Sequence, residues 1–172
     1  MMTSKNSIKT FHYIGIIWAL AGISMLFLAA IGRMAPHALE AYRSNLSALE
    51  LAILLSWSVF MIITEGYMGF QKRFAPRVAA RATYLLNRPK VIDIALAPLF
   101  CMGYFHAPKK RVIIIWSFTF AIVLLVVVVR QISQPWRGII DTGVIIGLSY
   151  GLVSIYYFLG RALVTKGIHV SP

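Results

Sequence analysis

Four long apolar runs dominate the chain: Phe11–Gly32, Ala48–Phe70, Val112–Val129 and Ile139–Gly160. A helix crossing a ~30 Å hydrocarbon core needs about 20 such residues. At 1.5 Å per residue the four runs are roughly 33, 35, 27 and 33 Å long. In lipid every backbone polar group must be satisfied internally, which leaves helices or a closed barrel, and runs of this length are helices. Only 13% of the 172 residues are charged, against about a quarter in soluble domains. The single Cys101 excludes an intrachain disulfide framework and a multi-cysteine metal centre. The fold class is therefore an all-α integral membrane protein, one membrane domain over residues 1–172 with four transmembrane helices. Lys5 and Lys9 before the first run resemble a signal peptide, but the run is long and Leu28 stands where cleavage after Ala30 needs a small residue. A retained anchor is expected.

Charge predicts the orientation. The chain has 17 Lys and Arg against 5 Asp and Glu. Thirteen of those basic residues lie in the two tails and the connector 71–111, and four in the two short loops. The positive-inside rule then puts both termini and the connector in the cytoplasm, in a plasma (inner) membrane. The expected partners are the bilayer, its anionic phospholipids, and a protein partner or a second copy. No nucleic-acid module accompanies the charge, so nucleic acid is not expected.

The connector has a pattern of its own. On a helix over Pro76–Asn87, Arg77, Arg81 and Arg88 fall within a narrow arc, with Val78, Ala82, Leu85 and Leu86 beside and opposite them. A cationic arc beside an apolar one predicts a helix lying in the interface, its arginines on lipid head groups. Val91–Phe105 follows, apolar except for Asp93 and broken by Pro98. At roughly 22 Å it is too short to span and reads as re-entrant or half-inserted.

Within the spans, small residues mark packing faces. Gly143, Gly147 and Gly151 recur at four-residue spacing, with Ser154 near the same ridge. Such ridges let backbones approach closely where lipid supplies no hydrophobic drive. The fourth span is expected at the centre and the third, rich in Val and Ile, at the periphery. Gly15, Ala19, Gly22 and Ala29 of the first span offer the fourth a groove.

The acidic residues are the main candidates for chemistry. Asp141 follows Arg137 by one helical turn, which predicts an anchoring ion pair, with gating as the alternative. Ser47 and Glu50 form a capping box for the second span. Glu65 lies six residues inside the expected end of its span without a cation one turn on; Ser58, Glu65, Gly69 and Lys72 share a helical face. An ionisable residue at depth faces protein or a water-filled cavity. A clasp with an Arg, Lys or Tyr of the connector or another helix is expected for Glu65. Asp93, Cys101 and His106 sit on the same side, and convergence of Glu65, Asp93 and His106 would make an acid/base or metal constellation. Their spacing is not that of a metal motif, and no P-loop, GxGxxG or GxSxG element occurs; no metal or cofactor is expected. The segments His37–Glu40, Glu65–Tyr67 and Gln134–Gly138 stand out without a function attached.

Three functional classes fit. The first is a non-catalytic subunit or scaffold of a membrane assembly, with an anionic-lipid-facing cytoplasmic surface. The second is a small oligomeric ion- or proton-coupled permease using Glu65 and Asp141. The third is an interfacial enzyme acting on anionic lipid head groups.

Overall fold

Helix α1 (Thr3–Arg43) runs unbroken for 41 residues in the computed structural model, which describes residues 3–87 and 90–164. It passes Pro36 and takes in most of the expected first loop, leaving only residues 44–47 as a turn. Ala38 and Ala41 explain the extension, because both are buried where the last turns of α1 meet the start of the fourth long helix. Ser47 then caps α2 (Ala48–Met61). Its hydroxyl accepts from the Glu50 amide, and the Glu50 carboxylate accepts from the Ser47 amide at 2.8 Å.

The second span does not end near Phe70. It continues as a π-helical segment (Ile62–Phe74) and then as α3 (Ala75–Asn87). The amphipathic helix expected alone in the interface is therefore the tail of this long helix. Its apolar residues Val78, Ala82 and Leu85 are buried in the protein core with Phe100, Ile155 and Leu159 rather than laid in lipid. Two short helices follow, α4 (Val91–Ala95) and α5 (Ala97–Met102), the latter closed by Gly103 in the left-handed conformation at φ 92°. They lead to α6 (Lys109–Val129) and α7 (Trp136–Val164). The segments Tyr13–Arg43, Ala48–Leu86, Lys109–Val129 and Trp136–Val164 are each long and apolar enough to cross a membrane.

Helix α7 is the hub. Its small residues admit neighbours that a larger side chain would exclude. Gly138 faces the His37 carbonyl and Ala41 of α1, and Gly143 the indole of Trp57. A Cβ at Gly147 would lie 3.4 Å from Glu65 Cβ, and one at Gly151 2.6 Å from the Phe70 ring. The glycine ridge thus packs within the chain, chiefly against α2 and its π-helical continuation. The groove expected on α1 is used differently. Ile94 packs on Gly15 and Pro98 on Gly22, so the connector fills it instead of α7. Phe27, Phe70 and Phe74 join the layers edge-on and stacked, with centroids 5.4–6.5 Å apart.

Candidate functional site

Polar side chains gather at two ends of the bundle. At the connector end, Asp93 is the third residue of α4, where its Oδ2 accepts from the Lys90 amide at 3.3 Å. Its Oδ1 accepts from His106 Nδ1 at 2.9 Å. Asp93 is 2% exposed, while His106 stays half open to its surroundings. That bond puts the proton of a neutral imidazole on Nδ1 and leaves Nε2 outward. His106 adopts φ 51°, which a side chain with a Cβ enters at a cost, and two contacts hold it there. One is Asp93; the other is Arg81, whose Nη2 donates to the carbonyls of Phe105 at 2.8 Å and His106 at 3.1 Å.

Arg81 is 4% exposed and its guanidinium lies over the Phe100 ring at 4.4 Å. Its Nε and Nη1 have no hydrogen-bond partner. The residue expected on lipid head groups is turned into the protein, because α3 packs against α5 through that face. Arg77 donates from Nε to the Arg73 carbonyl, and Arg88 lies outside the described residues. Cys101, 1% exposed, has its thiol pushed up to about 12 by burial, with Arg81 pulling weakly the other way. A thiol held in that form is not a nucleophile.

At the short-loop end, α7 and α1 meet through side chains from two of the segments that stood out in the sequence. Arg137 Nη2 lies 2.7 Å from His37 Nε2, an acceptor when the imidazole is neutral. Gln134 donates from Nε2 to the His37 carbonyl at 3.2 Å and to Glu40 at 3.0 Å, while its Oε1 accepts from the Gly138 amide at 3.1 Å. Asp141, 5% exposed, sits 4.0 Å from Arg137 Nε across one helical turn. His37 and Gln134 were legible as unusual residues; that they meet depends on the helix pairing, which no local pattern gives.

Glu65 belongs to neither cluster. Its Cβ rests against Gly147, and a Cβ at the neighbouring Gly66 would lie 3.0 Å from the Tyr150 ring. Tyr150 donates to Gln71, and Lys72 lies over the Tyr67 ring at 4.5 Å. The expected clasp is therefore not formed by Glu65: its two nearest candidates on the sequence, Lys72 and a tyrosine, have other partners. The connector is clasped instead by Arg81 and by the Asp93–His106 pair. Of the three residues whose convergence the sequence left open, Asp93 and His106 come together and Glu65 does not join them.

The Asp93–His106 pair has the geometry of an oriented base, but the carbonyls beside it are already engaged by Arg81. Among the described residues no three His, Cys, Asp or Glu side chains gather as a metal site. Gln71–Tyr150 and Ser24–Tyr156 (2.8 Å) are further polar bridges between helices, and Tyr104–Thr119 (2.7 Å) ties α6 to the turn before it; sequence spacing did not reveal them. No protein family, curated protein or solved structure matches the chain.

Proposed function

We propose that this chain is a non-catalytic subunit of a membrane assembly and that α6 is the helix it presents to a partner within the bilayer. The observation that carries the reading is that α6, 21 residues long, has no buried residue. The other three long helices complete a core without it. Among the described residues, it is attached to the segment before it through the Tyr104–Thr119 bond, the edge-on contact of Tyr104 with Trp116 at 5.3 Å, and Ile115 beside Gly103. Both polar clusters fit the same reading, since each ties one segment of the chain to another.

In this reading both termini and the connector are cytoplasmic, an orientation supported by the distribution of Lys and Arg. Lys72, Arg73, Lys90, Lys109 and Lys110 are exposed and would meet anionic head groups there, each with about 1 kcal/mol of attraction near the surface. The half-inserted reading of α4 and α5 is supported by Pro98, which packs on Gly22, well inside the apolar run of α1.

A photo-crosslinking residue at Val123 of α6, in cells, tests the assignment. The expected product is one discrete protein adduct, matched by a native mass above that of one protomer after gentle extraction. Lipid adducts alone together with a lone-protomer mass would refute it.

A further inference from the structure

The chain has five acidic side chains, and four of them have partners. Glu40 accepts from Gln134, Glu50 from Ser47, Asp93 from His106 and Lys90, and Asp141 faces Arg137. Glu65 has no hydrogen bond or ion pair among the described residues. It is half-buried, and its place in the span is fixed by its neighbour. Gly147 is eleven residues into α7, about 16 Å from Trp136 by helical rise, and lies within an apolar stretch of that helix.

The backbone around it is unusual too. Glu65 is the fourth residue of the π-helical segment, a geometry concentrated at functional positions. The groups on every element packed against this segment are otherwise engaged. On α7, Tyr150 is bonded to Gln71 and Asp141 is paired one and a half turns away; on α2, Ser58 donates to its own helix at Leu54. On α3, Arg77 donates to Arg73 and Arg81 to the connector carbonyls. Lys72, on the segment itself, lies over Tyr67. Arg73, the remaining cation of the segment, is exposed and makes no ion pair with Glu65, and an uncompensated charge in an apolar setting is costly enough that the group neutralises instead.

We propose that Glu65 is a proton-binding site: it takes up a proton at the seam between the π-helical segment and α7 and is held within the span as the neutral acid. The ligand is the proton, and the site is independent of whether α6 docks on a partner.

The test uses the full chain in neutral phosphatidylcholine vesicles and the apolar reagent dicyclohexylcarbodiimide, which adds to a protonated carboxyl. Intact mass and peptide mapping should show one adduct, at Glu65. Its yield should fall about tenfold per pH unit above the midpoint, as the protonated fraction does. A water-soluble carbodiimide should spare Glu65 while modifying Glu50 at the exposed start of α2. Because these readouts use the wild-type chain, they do not depend on any variant folding; Glu65→Gln should keep its native mass and lose the adduct. Absence of the Glu65 adduct between pH 5 and pH 9 overturns the proposal. So does equal modification by the water-soluble reagent, which would put the carboxylate in water. Protection by Na⁺ at constant pH also overturns it, by making a metal cation the ligand.

Discussion

Helices α6 and α7 are both apolar enough to cross a membrane, yet α7 buries eleven residues and α6 none. Hydrophobicity does not set the difference, since α6 is the more apolar of the two and the less buried. What separates them is small residues: α7 has Gly138, Gly143, Gly147 and Gly151 on faces met by α1, α2 and the π-helical segment, while α6 reads Ile113–Ile114–Ile115 and Val126–Val129. Lipid tails are as apolar as leucine, so a helix gains its place in a bundle from close backbone approach and polar bridges. Branched side chains all round hold neighbours at a distance and suit lipid, or a partner shaped to receive them.

The sharpest way to break that contrast is Gly138→Ala. Its added methyl would collide with the His37 carbonyl and with Ala41, and sit 3.0 Å from Gln134 Oε1. A helix backbone cannot swing aside as a side chain can, so α1 and α7 must separate and the Gln134 bridges stretch. The expected loss is about 3 kcal/mol, the upper end for overpacking, read as a lowered thermal midpoint in mild detergent. Val123→Ala, which deletes two methyl groups from the exposed surface of α6, should leave that midpoint where it was. Equal effects would mean that the two helices are not differently held.

Arg81→Ala comes next, because it removes the donor to two carbonyls and uncovers the Phe100 ring. Bonds to charged donors contribute about 1.5–3 kcal/mol, and a comparable loss is expected. It should appear locally, as faster protease cleavage between residues 88 and 108. Glu65→Gln should leave that cleavage unchanged, since Glu65 does not touch the connector. The reverse result would restore the Glu65 clasp.

The membrane helices, the capping box and the central place of α7 were legible because each depends on local pattern: run length, an S-x-x-E spacing, four-residue glycine spacing. Asp93 and His106 were legible as candidate residues near one end of the bundle, and their pairing was not. What failed to show did so for a physical reason. Sequence faces were drawn at the α-helical period, and the π-helical segment changes that period between Ile62 and Phe74, so Glu65 and Gly66 meet α7 while Lys72 turns to Tyr67. The arginine arc on α3 was read correctly as an arc. Which way it faced was decided by α5 packing against it, a contact no window of α3 contains.

Within the ridge of α7 the glycines should rank by what meets them. Gly151→Ala presses on the Phe70 ring at 2.6 Å and should cost about 1–3 kcal/mol, the ring being wedged between Phe27 and Phe74. Gly147→Ala meets Glu65 Cβ at an ordinary 3.4 Å and should cost less than about 1 kcal/mol. Thermal midpoints of the two variants in one detergent give the order. An inverted order would move the tight crossing of α7 away from the Phe70 contact.

Alkaline pH reaches the packed half through Cys101. Its ordinary value of 9.0 is pushed up to about 12 by burial. The unfolded chain therefore loses this proton first as pH rises, and stability falls with pH wherever the unfolded state binds fewer protons. The contribution is whole below pH 9, falls through the interval up to about 12, and is constant again beyond it. At pH 10 one group of this kind amounts to about 1 kcal/mol. Comparing wild type with Cys101→Ser at pH 8 and pH 10 isolates it, because the serine variant lacks the titration and should lose less.

The smallest effect on the fold is expected from Thr119→Val, and it bears most directly on why α6 differs from α7. Thr119 Oγ1 lies 2.7 Å from Tyr104 Oη and donates to the Ile115 carbonyl of its own helix, so the tyrosine is the donor in the bridge to the preceding turn. Valine keeps the shape and drops the hydroxyl. Tyr104 retains its edge-on contact with Trp116, so little packing is lost. Interhelical hydrogen bonds of this kind contribute about 0.6 kcal/mol in membrane proteins, and the thermal midpoint of the isolated chain should barely move. The orientation of α6 should respond more, because that bond and the Trp116 contact fix which of its faces turns outward. If α6 docks on a partner, a Val123 crosslinker in the Thr119→Val background should give its protein adduct in reduced yield at an unchanged midpoint. An unchanged adduct would mean that the partner itself orients α6. A midpoint that falls as far as in Gly138→Ala would mean that α6 belongs to the core after all.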